Sequence, residues 1–270
     1  MLNIDDLRGV WRRILLQRPG VEADRSSRVY WLQGDRFFAD LRQPAGRPEF
    51  SGIRCLRQLQ GPQIAWLALQ EGFAGTFHLS DDVAEWHRAV DFQPATGIAD
   101  RGRLRLEGDV LEERGTEAPY VEQWQREGIA RAPAFGLRLE RDFGQTAYLL
   151  RTGDAFFYVR PRRSLLPSGR DLSALVAEMP DLESRQDLLD FEISFGRTQA
   201  GCWRIRHSSL PFKEGQAFRC AFSGTSSLIL DDIGPDGRPV RSRWSIAESD
   251  APVGEDELAQ LLHMGSGEIS

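Results

Sequence analysis

The chain has 270 residues, 41% hydrophobic and 27% charged, the proportions of a globular protein with room for one large domain or two ordinary ones. A net charge of −6 and a pI near 5.4 argue against nonspecific attraction to nucleic acid or to anionic membranes. No apolar run approaches the ~20 residues of a membrane-spanning helix, and the opening MLNIDDLRGVWRR lacks a leader pattern, so a cytoplasmic protein with reduced thiols is expected.

In chain order, a polar lead-in, IDDLR, precedes Gly9-Val10-Trp11. A Gly-x-Trp on a first strand resembles the opening of lipocalin-type barrels, where the Trp closes one end. VYWLQ (29–33) and RFFADLR (36–42) are aromatic and aliphatic runs separated by Gly-Asp, which is hairpin chemistry. EGFAGTF (71–77) and EWHRAVDFQP (85–94) read as further strands, and RLRLEGDVLEERG (103–115) as two alternating runs around Gly-Asp. GIARAPAFG (128–136), with Pro133, marks a domain boundary between 1–128 and 134–270. Beyond it, AYLL and AFFYVR flank Thr-Gly-Asp, and ISFGRTQAG (193–201) leads into CWRIRHSSLP (202–211). SLILDDIGPDGRPVRSRWSI (227–246) turns at Pro-Asp-Gly. Helical spacing is confined to 171–190, broken at Pro180 and placed in an insertion around 165–190, and to the tail at 254–264.

The two halves match each other. Tyr30 falls on Tyr148, Leu32 on Leu150, Phe38 on Phe156 and Arg42 on Arg160, a constant offset of 118. Trp86 falls on Trp203 and Pro94 on Pro211 at 117, each pair preceded by a Phe-Gly element. Kept order with a nearly fixed offset predicts an internal duplication. With turns every 8–12 residues, the expected fold is mainly β: two lipocalin-like antiparallel β-barrels in tandem with a few short helices. Gly136-Leu137-Arg138 stands where a second Gly-x-Trp would fall, so the second barrel must close differently.

Phe73-Ala74-Gly75-Thr76, Leu111-Glu112-Glu113-Arg114-Gly115 followed by Tyr120-Val121-Glu122-Gln123-Trp124-Gln125, and Ala39-Asp40-Leu41-Arg42 resemble segments of the fungal Hri-type proteins and their uncharacterised bacterial relatives. The matches lie mainly in residues 30–125. The resemblance implies two lipocalin-like barrels in one cytoplasmic chain and supplies no catalytic residues; the fungal members are known chiefly through protein association.

Lys213 is the only lysine and Asn3 the only asparagine, so 33 of the 34 basic residues are arginine, the usage of a GC-rich, bacterial genome. Cys55, Cys202 and Cys220 have no metal-type spacing, and the histidines at 78, 87, 207 and 263 do not cluster, so neither metal nor cofactor is expected. No nucleotide-binding or hydrolase motif is present.

Alternation along the strands selects the candidate site residues. Trp203, Ile205 and His207 share one face, and Trp86, Arg88, Val90 and Phe92 form the matching set, which places Arg88 inside the first barrel and His207 inside the second. A buried Arg88 needs a partner, for which Glu71 and Asp40 are candidates. Arg42 and Arg160 occupy equivalent places, either holding the fold across a strand pair or gripping an anionic head group. The expected ligand-lining residues are Arg42, Phe73, Trp86 and Arg88 in the first copy, and Tyr158, Arg160, Trp203 and His207 in the second. The aromatics Tyr30, Trp31, Phe37, Phe38 and Phe92 serve as core or as pocket wall.

Three functions follow, in this order. The first is binding of a small apolar or amphipathic ligand in a cavity open to solvent. The second is a protein-interaction module with filled barrels and an exposed apolar patch near 165–190. The third is a cofactor-independent enzyme acting on an apolar substrate, with His207 and Glu192, or His87 and Asp91, as acid and base.

Overall fold

The computed structural model describes residues 2–129, 133–141, 144–224 and 226–250, with Ile129 described by its backbone alone. Eight strands form a closed antiparallel barrel in simple up-and-down order: β1 (Gly9–Gln17), β2 (Arg28–Gln33), β3 (Phe37–Gln43), β4 (Glu71–Ser80), β5 (Val83–Asp91), β6 (Asp100–Glu107), β7 (Val110–Gly115) and β8 (Val121–Ile129). A second sheet holds β9 (Ala134–Arg141), β10 (Gln145–Thr152), β11 (Ala155–Arg160), β12 (Glu192–Gln199), β13 (Cys202–Ser208), β14 (Arg219–Phe222), β15 (Ser227–Ile233) and β16 (Pro239–Ser249). Its order is β13-β12-β11-β10-β9-β16-β15-β14, so β13 and β14 are its edges. A bridge between Arg204 and Ala217 links those edges, reinforced by backbone hydrogen bonds from Ile205 N–H to Gln216 O and from Phe218 N–H to Trp203 O. The second half is therefore a barrel left open along one seam.

The hairpins expected at Gly34-Asp35, Gly108-Asp109, Gly153-Asp154 and Pro235-Asp236-Gly237 all form. The two helices expected in the 165–190 insertion are α3 (Leu172–Glu178) and α4 (Leu182–Leu188), capped by the side chains of Asp171 and Asp181. A further helix, α2 (Gly61–Ala68), escaped the sequence reading, because its last five residues, Ile64 to Ala68, are all apolar and show no 3.6-residue contrast. It lies between β3 and β4, the same connection that carries α3 and α4 between β11 and β12. The expected tail helix at 254–264 lies outside the described residues.

At the start of the first barrel, Trp11 is buried in the interior. The one-turn helix α1 (Ile4–Leu7), held by a capping box between Asn3 and Asp6, sets Leu7 against the barrel end. The Trp11 indole N–H donates to Leu7 O at 2.7 Å, and the Arg126 guanidinium of β8 lies 4.2 Å from the Trp11 ring centre.

Three apolar clusters organise the molecule. One fills the first barrel with Trp11, Trp31, Trp86, Trp124, Phe38, Phe73 and Phe77. One fills the second with Phe135, Phe156, Tyr158, Trp203, Phe218 and Trp244. The largest lies between the barrels. There the outward residues of β3 (Phe37, Ala39, Leu41) meet those of β11 (Ala155, Phe157, Val159) and β12 (Ile193, Phe195), with the helices around them. Phe37 meets Tyr148 edge-on at 5.5 Å, and Tyr30 stacks on Phe195 at 4.7 Å. Two buried glutamines stitch the contact: Gln43 donates to Ser208 O and Gln70 to Ser209 O, both at 2.9 Å. Arg162, buried between Phe92 and Phe191, donates to Phe92 O at 2.6 Å, and burial pushes its pKa down to about 10.

One device recurs in both barrels. Opposite β4, the register of β5 jumps between Val90 and Arg88, leaving Ala89 bulged; opposite β12, β13 jumps between His207 and Ile205, leaving Arg206 bulged. The two extra residues lie 117 positions apart. Gly75 and Gly196 sit beside the bulges, where a Cβ would run into the carbonyl oxygens of His87 and Arg204. This close approach explains the Phe-Gly element before each strand.

Because the core between the barrels is continuous with the outer faces of both, the two should unfold together. Phe157→Ala, which opens a cavity at their junction, is expected to cost ~3–5 kcal/mol. Tryptophan fluorescence, reporting both interiors, and far-ultraviolet circular dichroism should follow one denaturation curve; two separated transitions would contradict the shared core.

Candidate functional site

The bulges correct the alternation reading. Trp86 points into the first barrel, but Val90 and Phe92 join the core between the barrels. Arg88 is half-exposed rather than interior: it lies over the mouth with its guanidinium 3.5 Å from the Phe73 ring centre. Its partners are not Glu71 or Asp40. Nε and Nη2 donate to Asp100, at 3.0 and 2.7 Å, and Nη1 donates to Asp91 at 3.1 Å. In the second barrel Trp203 and Ile205 are interior, whereas His207 is turned outward and stacks on Tyr30 of the first barrel at 5.2 Å. Burial there, with Arg28 beside it, lowers its pKa to about 4, so the imidazole is neutral.

Neither proposed acid/base pair forms. Glu192 is engaged by Ser194 Oγ at 2.7 Å and by Lys213, while His207 meets Arg28. Asp91 is taken by Arg88, and His87 lies 3.6 Å from Glu85.

Strand order brings Arg42, Phe73, Trp86 and Arg88 to one end of the first barrel. Arg42 points inward from the end of β3, where its Nε donates to Asp40 at 2.9 Å and its Nη1 to Glu122 at 3.3 Å. Arg13 meets the same Glu122 at 2.6 Å. Asp40, Glu113 and Glu122 are buried carboxylates at this end. Glu113 accepts from the Tyr120 hydroxyl at 2.6 Å and from the Trp124 indole at 3.1 Å. Asp40 was named from sequence only as a partner for Arg88, and Glu113, Glu122 and Arg13 were missed as part of this layer. The signal available for those three was their place on β7, β8 and β1 at positions that alternation turns inward.

Below this layer the barrel is full. The space among Trp31, Phe38, Asp40, Arg42, Phe73, Trp86, Glu113 and Trp124 is about 10 Å³, room for one water and for no organic substrate. Above it lies an open cleft of about 810 Å³, lined among others by Arg42, Glu71, Trp86, Arg88, Ile98 and Tyr120. A second depression of about 590 Å³ shares Glu71, Arg88 and Asp91 with it and reaches α2 and α3.

The equivalent end of the second barrel repeats the plan with different side chains. Arg160 takes the place of Arg42 and pairs across the strands with Glu192, as Arg42 pairs with Glu71. It meets Asp190 at 2.9 Å. Tyr158 stands where Asp40 does and lines a pocket of about 260 Å³ with Lys213, Phe218 and Asp232. Trp203 lies deeper, under the Arg151 guanidinium at 5.0 Å.

The charge pattern bears on the two readings of the shared arginine. Arg42 and Arg160 are held by carboxylates of their own barrels, so an anionic head group would have to displace Asp40 and Glu122, or Asp190. Holding the fold is what their geometry does.

Burial raises Asp40 to about 6 against the pull of Arg42, and raises Glu113 to about 8, with Glu122 and Asp100 adding to the rise. An unfolded glutamate titrates near 4.3, so between that pH and about 8 the folded state binds the proton that the unfolded state has lost. The stabilisation from neutral Glu113 is therefore complete below the unfolded pKa and fades as pH rises through the folded one. Glu113→Gln should lose less stability than the parent between pH 5 and 8.5, read as urea midpoints. An unchanged pH slope would refute the assignment.

No protein-family model matches the chain, and no curated protein matches it. Among solved structures, it is similar to the uncharacterised protein YLR301w of Saccharomyces cerevisiae, with a TM-score of 0.51 and 12% identity. The match covers 90% of this chain and 98% of the yeast one, so the likeness extends across both barrels and shows a shared fold.

Proposed function

We propose that the protein binds a small amphipathic molecule in the cleft over the mouth of its first barrel, and that the head group is cationic or neutral. The observation that carries this reading is the convergence of Arg42, Trp86 and Arg88, with Phe73 beneath them, on an open space of about 810 Å³. That volume lies in the ~300–1,000 Å³ range of small-molecule sites. Leu16, Trp86, Ile98 and Tyr120 supply apolar wall. Six carboxylates and four guanidinium groups line the cleft, and both central arginines are already paired. The Glu71 carboxylate makes no ion pair or side-chain hydrogen bond among the described residues, feels Arg42 only at longer range, and lines this space, so it is the acid placed to meet an incoming cation.

The two units, 1–128 and 134–270, are read as products of an internal duplication of a lipocalin-like barrel in a cytoplasmic protein of the Hri-type group. Equal strand order, equivalent bulges and helices inserted at the same connection support the duplication. A protein-partner reading has its own observation: in the insertion, Leu165 is fully exposed and Leu182 is 44% exposed.

Two measurements separate these readings. Native mass spectrometry of protein purified from its own host should show an extra mass that is lost on unfolding, whereas a clean mass favours the partner. In calorimetry, n-octylamine should bind more tightly than octanoate, and Glu71→Gln, at an exposed position, should weaken octylamine about tenfold. Equal affinity for the two probes, or no effect of Glu71→Gln, would sink the cleft assignment.

A further inference from the structure

The mouth of the second barrel holds a site of a different kind, independent of the first-barrel cleft. The geometry points to a small neutral molecule there, whose carbonyl oxygen accepts hydrogen bonds from the Tyr158 hydroxyl and the Lys213 ammonium.

Lys213 is the first reason. Arginine fills every other basic position of this chain, so the one lysine is a local requirement rather than a matter of composition. Its ammonium is buried between Glu192 and Asp232. A planar guanidinium presents its donors in a fixed fork, whereas an ammonium directs three N–H bonds from one point. Two of these meet the carboxylates, and the third is left for the pocket that Lys213 lines.

Tyr158 is the second and independent reason. It is 2% exposed and lines the same pocket, yet its hydroxyl makes no hydrogen bond among the described residues. The hydroxyl is not among the buried atoms that lack a partner, so it opens on the pocket, where no protein group takes its hydrogen bond and a ligand acceptor can. The equivalent position in the first barrel holds Asp40, whose Oδ1 accepts from Arg42. The two mouths are thus alike in backbone and different in what they offer.

The remaining lining decides the ligand class. Ile205, Phe218 and Leu230 form an apolar wall suited to a flat or aliphatic body. Lys213 and Arg219 line the pocket against Glu192, Asp231 and Asp232, leaving one excess negative charge, which opposes an anion. A cation would meet carboxylates that are already paired, with two donors aimed at it. A neutral acceptor satisfies both donors without disturbing the ion pairs. The volume of about 260 Å³ falls below the usual range for drug-sized ligands and fits a fragment-sized molecule.

Three probes of one size and different charge test this: benzamide, benzoate and benzylamine, each titrated against the full chain by ligand-observed NMR. Benzamide should bind most tightly. Tyr158→Phe removes only an unpartnered hydroxyl, so it should fold as the parent does and weaken benzamide about three- to tenfold, the worth of one neutral hydrogen bond. Benzamide should also slow acetylation of Lys213, read by peptide mapping at the single lysine. Glu71→Gln, in the first barrel, should leave benzamide affinity unchanged, which separates failure here from failure of the cleft reading. The proposal is overturned if none of the probes binds, or if benzoate or benzylamine binds more tightly. It is equally overturned if Tyr158→Phe has no effect, if Lys213 is not protected, or if Glu71→Gln abolishes benzamide binding.

Discussion

The apolar contact between the outer faces of the two barrels is the constraint on which the rest of this molecule depends. A barrel normally has one apolar side, its interior, and alternation then puts polar residues outside. Here β3 and β11 are buried on both sides: Phe38 and Phe156 point in, Phe37 and Phe157 point out, and all four have no exposed surface. That is why RFFADLR and AFFYVR read as almost continuous apolar runs rather than as alternating strands. The helices carried by the β3–β4 and β11–β12 connections pack around the same contact, so the junction is sealed by elements from both halves.

The bulges at Ala89 and Arg206 adapt each barrel to this arrangement. A bulge changes which face the following residues occupy. Before it, Trp86 and Trp203 fill the interiors; after it, Val90, Phe92 and His207 turn to the junction. One strand thereby serves two cores. The glycines opposite, Gly75 and Gly196, follow from the close backbone approach that the bulge creates.

Filling both interiors with aromatic rings moves any chemistry to the mouths. At the first, Arg13, Arg42, Asp40 and Glu122 form a paired layer between the packed core and the open cleft, with Arg88 laid across Phe73 above it. At the second, the corresponding layer is Arg160, Lys213, Glu192 and Asp232, with Tyr158 in place of a carboxylate. The common arginine keeps the two layers alike because each must neutralise acids buried at a barrel end. The differing neighbours make the two mouths chemically distinct.

The sequence by itself determined the β architecture, the four hairpin turns, the helical stretch of 171–190 broken at Pro180, and the equivalence of Arg42 with Arg160. Each of these is written in local chemistry: Gly-Asp and Pro-Asp-Gly turns, apolar spacing near 3.6 interrupted by proline, and a repeated pattern at a fixed offset. Only the tertiary structure decided which way Val90, Phe92 and His207 face. The extra residue of a bulge carries no composition of its own, and a single insertion reverses every later position on the strand. The burial of both faces of β3 and β11, the ion-pair partners of the arginines and the open seam between β13 and β14 likewise come from residues far apart in the chain. They meet because the outer faces of the two sheets pack against each other, and that packing is set by shape and apolar area over the whole molecule rather than by any local run of residues.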